Sequence, residues 1–306
     1  MSGVFLVAFA WSALAVLLIG IACRTLAIAR LPLHLRWELA PVPREKGKGG
    51  YGGSYLEEYE WWKRERKKSA VAPLLFMIRE IFLLRSVWKH NRSLWPFSFA
   101  MHTGIYLFVG ALLFHVALVL HSYELQTATI QICLDVISAM ALCSYLLGTA
   151  GTIGLLLKRV FDRNLRWSNS TGTFLNLLFL AAVSVSGGYA WFGSPNAVFE
   201  VGELIGRALS FSGGFAIADP LAVHVTLLLL FWICLPFTSM IHFAAKYFTY
   251  HGVIWNDKPL NERMEREVAD LLSQPVQWEA RHAKLEGKGT WIEVVKEGTC
   301  DEGKQS

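Results

Sequence analysis

Apolar residues gather in five long runs, roughly 4–23, 97–120, 136–157, 173–192 and 221–245, with polar chain between them. Each run reaches the about 20 residues that a helix needs to cross the hydrocarbon of a bilayer. Lipid offers no partner to an unpaired backbone N–H or C=O, so such runs are predicted to be helices. The fold class that follows is an all-α integral membrane protein with five transmembrane helices. Four parts are expected along the chain: a first helix within 1–28, a hydrophilic segment 29–96, a four-helix core 97–247 and a polar tail 248–306. The first run is read as a span and not as a cleaved leader. No basic residue precedes it, and Arg24 and Arg30 follow it, the reverse of the leader's charge order.

Composition agrees with this pattern. Hydrophobic residues make up 54% and charged residues 17% of the chain, against about 25% charged in soluble domains. The placement of Lys and Arg carries more than the net charge of +5. Segment 29–96 holds 14 of the 29 basic residues, loop 158–172 holds 4 and the tail from 246 holds 9. Loop 121–135 has none and loop 193–220 has only Arg207. Basic residues accumulate on the cytoplasmic side of a membrane, so the N-terminus is expected outside and the C-terminus inside, in the inner (cytoplasmic) membrane. The five cysteines form no C-x-x-C and no C-x-x-C-H. Covalent haem and iron–sulfur ligation by this chain are therefore not expected.

Segment 29–96 opens with three prolines within 31–43, which favour an extended path. A glycine-rich stretch at 47–53 satisfies G-x-G-x-x-G, but no strand precedes it, so a flexible turn is expected and not a nucleotide site. Ser54 with Glu57 three residues on has the form of a capping box. A helix is expected there, carrying Tyr55, Tyr59, Trp61 and Trp62 beside the basic cluster 63–68. Aromatics next to Lys and Arg suit the lipid headgroup boundary better than nucleic acid, and no nucleic-acid partner is expected. The tail is expected to form a short helix over 260–273. Segment 29–96 and the tail to 295 read as a docking surface for a cytoplasmic partner, and 296–306 as a solvated end.

Ligating side chains inside a membrane helix are costly and mark functional positions. His102, His115 and His121 fall on the second helix, and His224 and His242 on the fifth; His34, His90, His251 and His282 fall in polar segments. A haem iron held between two helices takes one imidazole from each. His224 and His242 are 18 residues apart, about five turns or roughly 27 Å of continuous helix, which would set one near each membrane face. The two helices run antiparallel, so His102 pairs with His242 at the inner level. The outer partner of His224 is His115 or His121. His115 is preferred, because His121 stands at the water boundary before Ser122-Tyr-Glu124. Two b-type haems between helices 2 and 5 are the expectation, with His102, His115, His224 and His242 as iron ligands.

The stretch from His224 to His242, with Pro236, Phe237, Thr238 and Ile241 between them, resembles the fifth helix of the respiratory nitrate reductase gamma subunit. Met101-His102-Thr103-Gly104 with Val109-Gly110, and Leu155 to Arg159, are similar to that family's second and third helices. The resemblance covers about 95–250. It implies a di-haem cytochrome b subunit that exchanges electrons with quinone, menaquinone in particular, near the outer haem, and with iron–sulfur subunits near the inner one. Two features depart from the nitrate enzyme. The family's outer ligand follows the Val-Gly directly, whereas here the next histidine is His115. The loop containing Trp37 to Pro43 and Tyr51 to Tyr55 looks more like gamma-like subunits of the sulfite-reduction-associated DsrM and Tmc/Hmc types. Their cytoplasmic partner resembles the catalytic iron–sulfur subunit of heterodisulfide reductase.

Quinol oxidation needs a proton acceptor within hydrogen-bond reach. On the outer side the candidates are His121, Glu124 and Asp135. Asp135 is favoured and His121 comes second, because Asp135 should be partly buried where the third helix enters the bilayer. The alternative for the whole chain is a non-redox anchor or transporter subunit, whose intramembrane histidines relay protons or bind a metal ion.

Overall fold

The computed structural model describes residues 3–31, 40–42, 45, 48, 51–63, 69–213, 216–256, 261–276 and 289–298. The chain divides into two units, 1–30 with 68–251 and 31–67 with 252–306. In the first, α1 (Gly3–Ala29) is followed by α2 (Val71–Leu83), α3 (Arg85–His90), α4 (Trp95–His121), α5 (Thr127–Phe161), α6 (Arg163–Ser168), α7 (Thr171–Gly193), α8 (Ala197–Leu209), α9 (Asp219–Cys234) and α10 (His242–Lys246). Among the described residues five helices are long and apolar enough to cross a membrane: Val4–Ala29, Trp95–Glu124, Thr127–Phe161, Thr171–Gly193 and Asp219–Phe237. These are the five spans expected from the sequence; the first four run longer than expected, and the fifth ends earlier, at Phe237 rather than 245. At 35 residues, α5 is about 52 Å long and outreaches a hydrocarbon layer of about 30 Å.

Small residues hold the spans together. A Cβ on Gly104 of α4 would come within 2.7 Å of the Gly148 nitrogen and 2.8 Å of the Ser144 carbonyl on α5. Gly151 lies in the same way against Met101, and Gly154 against Phe97. The pairs run in opposite order along the two helices, so α4 and α5 are antiparallel. Apolar attraction between helices is weak in lipid, and backbone approach at small residues supplies the contact instead. The other end of the bundle is closed by Leu6, Val7 and Ala13 of α1, Leu204 of α8, and Leu221 and Val225 of α9.

Three segments differ from the sequence expectation. The fifth run is not one helix. Pro236 has no N–H to give and crowds the preceding turn, so α9 stops at Cys234 and the chain continues through two 3-10 turns, Leu235–Phe237 and Ser239–Ile241. Thr238 between them is extended, at φ −108° and ψ 171°, and its hydroxyl accepts from the Met240 N–H at 3.2 Å. The straight rise of five turns from His224 to His242 therefore does not apply. Second, the hydrophilic segment contains the apolar helix α2, which belongs with the bundle. Third, the poorly charged loop 193–220 contains α8, which packs on α4 and α1.

In the second unit the helix expected after Ser54 is replaced by two 3-10 turns, Tyr55–Glu57 and Trp61–Lys63. The capping box is present: Ser54 Oγ accepts from the Leu56 N–H, and Glu57 Oε1 accepts from the Ser54 N–H at 3.0 Å. A helix does not continue because Glu60 takes a left-handed φ of 52°, a conformation that costs a side-chain-bearing residue about 1–2 kcal/mol. Gly52 makes the expected turn at φ 89°. The tail forms α11 (Gly252–Ile254), α12 (Glu262–Leu272), capped by Asn261, and α13 (Trp291–Gly298). The helix expected over 260–273 corresponds to α12. Beyond it, Pro275 and Thr290 form a bridge ahead of α13. The extended path expected around Trp37 and the basic cluster beyond Lys63 lie outside the described residues, as do His34, His282 and the solvated end from 299.

Candidate functional site: two histidine-lined cavities

Two cavities lie back to back inside the bundle, of about 430 Å³ and 680 Å³, both in the range of small-molecule and cofactor sites. Phe108, Leu112, Tyr145, Leu228 and Trp232 line both and form the wall between them. Each cavity carries one histidine from α4 and one from the α9–α10 strand of chain. His102 and His242 line the larger, and His115 and His224 the smaller.

In the larger cavity the two rings lie 6.2 Å apart, centre to centre, at 74°. The His102 Nδ1–H donates to the Ser98 carbonyl at 2.7 Å, one turn back on α4, and the His242 Nδ1–H to the Ser239 carbonyl at 3.3 Å. A backbone acceptor at Nδ1 fixes the tautomer and leaves the Nε2 lone pair for a ligand, the usual second partner of a metal-bound imidazole. With metal–nitrogen bonds of about 2 Å and half a ring on each side, two imidazoles on one metal have centres about 6 Å apart, close to the separation found here. His242 takes this position because the break at Pro236 and Thr238 re-aims the chain, and Gly20 of α1 packs directly against Pro236.

In the smaller cavity His115 and His224 are both 3% exposed. Ser186 Oγ gives its hydrogen to the Val183 carbonyl at 3.0 Å and accepts from His224 Nδ1 at 3.2 Å. His224 Nε2 therefore bears the lone pair, which receives the Tyr145 hydroxyl at 3.1 Å. A metal on this nitrogen would require Tyr145 to swing aside. His115 Nε2 is buried without a hydrogen-bond partner, an arrangement that normally costs about 1–3 kcal/mol. Gly202 of α8 faces it, and a Cβ there would come within 2.7 Å of Nε2. The orphaned imidazole nitrogen thus lies against the bare backbone of α8.

The remaining predicted site residues lie elsewhere. His121 is exposed and pairs with Glu124 at 3.5 Å. Asp135, expected to be partly buried, is exposed two turns inside α5 and accepts from Gln131 Nε2 at 2.9 Å. Neither lines either of the two cavities. The sequence reading missed His251, assigned to a polar segment but 3% exposed and lining the larger cavity. It also missed Glu80, the one buried residue of α2. A carboxylate alone in an apolar run, FMIREIF, was the available signal for Glu80. His251 had none, because its burial comes from a π turn, Tyr247–His251, of the kind that often marks functional positions.

Among the described residues no three of His, Cys, Asp and Glu come together as a metal cage. The four histidines stand as pairs, one pair to each cavity. No family model, curated protein or solved structure matches this chain.

Proposed function

We propose that this chain is a b-type cytochrome that holds two haems and carries electrons between a membrane quinone, such as menaquinone, and an iron–sulfur partner on the cytoplasmic side. The reading rests on one observation above others. Two adjoining apolar cavities each contain a histidine pair; Nδ1 is engaged in three of the four histidines, and in the fourth, His115, Nε2 is buried without a partner. His102 and His242 would hold one haem, and His115 and His224 the other. When bound, haem supplies reversible one-electron transfer. The chain supplies the axial nitrogens, their orientation through Ser98, Ser239 and Ser186, and a wall of Phe108, Tyr145 and Trp232 between the two sites. That apolar wall excludes water. The polar unit formed by 31–67 and 252–306, with most of the chain's Lys and Arg, fits the docking of a partner resembling the catalytic iron–sulfur subunit of heterodisulfide reductase. The basic segments then face the cytoplasm and the N-terminus lies outside.

A reduced-minus-oxidised visible spectrum of the purified protein tests this directly. Acid acetone should extract two non-covalent haems per chain. A single haem, or haem retained covalently, would overturn the two-site reading. The hydrogen-bonded row Ser186–His224–Tyr145 is the feature that favours the alternative, a haem-free proton relay, and a purified protein with no haem absorbance would decide for it.

The proton acceptor for quinol is sought at the opposite, weakly charged end. Asp135 is our first candidate and His121 the second. Both are exposed on the bundle's surface, where a donor diffusing in lipid can reach them. Asp135→Asn should keep both haem spectra and slow haem reduction by a menaquinol analogue about tenfold or more, at the low end of what a lost acid–base group costs. Reduction at the normal rate would leave Asp135 as a surface charge paired with Gln131.

A further inference from the structure

No continuous α-helix joins the turn that carries His242 to a membrane span. The extended Thr238 and two 3-10 turns separate it from α9, and α10 itself is five residues long. Side chains must therefore hold the ring in place. At the start of the turn Asn176 of α7 donates its Nδ2–H to Ser239 Oγ at 3.1 Å. The end of the turn is held through Lys246, four residues after His242 and so on the same helix face. Its ammonium donates to Glu80 Oε1 at 2.9 Å. Glu80 is the single buried side chain of α2, a helix that is otherwise apolar with nearly every residue exposed or half-buried. Its second oxygen accepts the Ser86 N–H at 3.1 Å, which fixes the carboxylate. α2 is in turn fastened to α4, the helix of His102. The Tyr106 hydroxyl donates to the Ile81 carbonyl and the Trp95 indole to the Leu83 carbonyl, both at 2.9 Å. Tyr106 stands one turn beyond His102, with the two rings 6.3 Å apart. The contacts close a circuit from His102 through Tyr106, α2, Glu80 and Lys246 to His242.

We propose that α2 is a brace and that Glu80 is a positioning residue for His242. Through Lys246 it sets the spacing and crossing angle of the His102 and His242 rings, and with them the axial geometry of the group bound between them. The inference rests on the haem reading of that cavity. A buried ion pair adds little net stability, because desolvation offsets the attraction; what it supplies here is a fixed register. That register matters most where the backbone is least continuous. α4 carries His102 on an unbroken helix, whereas His242 follows a break at Pro236 and Thr238. Tying the end of α10 to a helix that is itself bolted to α4 refers the position of one ring to the other. The metal-bound imidazole is then oriented twice, by the Ser239 carbonyl at its own Nδ1 and by the pair that fixes its turn, the kind of outer contact that tunes a bound metal.

Low-temperature electron paramagnetic resonance of the oxidised full chain reads this geometry. Crossed axial imidazoles give ferric haem one broad low-field feature, and near-parallel ones a three-line spectrum. The rings stand at 74°, so the haem that His242→Ala removes should give the crossed feature. Glu80→Ala should replace it with a spread of less anisotropic signals. The same variant should release this haem to apomyoglobin about tenfold faster, the low end of what losing a partner behind a metal ligand costs. Lys246, with 39% of its side chain exposed, can then turn to water, so no lone charge is left buried. Tyr106→Phe frees α2 from α4 while keeping the ring. It should shift the signal in the same direction, and it carries the test if Glu80→Ala fails to fold. Glu80→Lys combined with Lys246→Glu exchanges the charges at unchanged combined reach and should restore the crossed feature. Arg79→Gln, at the exposed neighbour of Glu80 on α2, should keep the wild-type spectrum. The haem of His115 and His224 should be unchanged throughout. A near-parallel signal in the wild type, or a crossed feature unaltered in both Glu80→Ala and Tyr106→Phe, overturns the inference and leaves the haem reading standing. So does a change in Lys246→Met with none in Glu80→Ala, since Lys246 would then act on the bound group directly. A wild-type protein without haem overturns both.

Discussion

His242→Ala is expected to yield a protein with one haem fewer and the spectrum of the other intact. His102→Ala should lose the same haem, because the two rings are 6.2 Å apart in one cavity. His115→Ala and His224→Ala should each remove only the second haem, whose cavity lies beyond the wall of Phe108 and Tyr145. Loss is expected to be complete at the affected site. A single axial imidazole would leave the iron half-ligated in a cavity of about 680 Å³. His102→Met is the informative companion variant: a thioether ligand retains haem and raises its potential. Haem content with low-temperature difference spectra reads all five variants. Loss of the same haem in His102→Ala and His224→Ala would break the pairing.

Gly104→Val should damage the bundle more than any ordinary surface change. The new Cβ meets the Gly148 nitrogen at 2.7 Å and the Ser144 carbonyl at 2.8 Å, both backbone atoms of α5. Neither can swing away as a side chain would, so α4 and α5 must part. Overpacking of this kind costs about 1–3 kcal/mol, which lowers an apparent melting temperature by about 2–12 °C for a chain of this size. Gly104 also lines the larger cavity, so haem between His102 and His242 should be lost first on heating. Gly188→Ala is the control. Its Cβ would find only Tyr145 Cβ at 3.9 Å, and a helix gains about 1 kcal/mol from Ala over Gly. A melting curve in which the two variants coincide would mean that the α4–α5 approach does not limit stability.

The sequence alone determined the five spans, because hydrocarbon imposes a minimum apolar length that only the linear order of residues has to meet. The grouping of histidines on the second and last spans was legible for the same reason. So was the level of His102 near one end and of His115 toward the other, since position along a helix is proportional to residue number. What faces what was not. Helical periodicity carried from His224 to His242 assumed continuous hydrogen bonding, and Pro236 removes it, so the direction of His242 is set by two 3-10 turns and an extended Thr238 packed on α1. The company of His115 is supplied by Gly202 from a helix in what read as a loop. The burial of His251 depends on a π turn that no apolar pattern announces. Glu80 lies beside Lys246, 166 positions away in the chain. Contacts of that range arise when helices pack, and packing is decided by backbone approach at residues such as Gly104 and Gly148, whose lack of a side chain leaves no periodic signal to read.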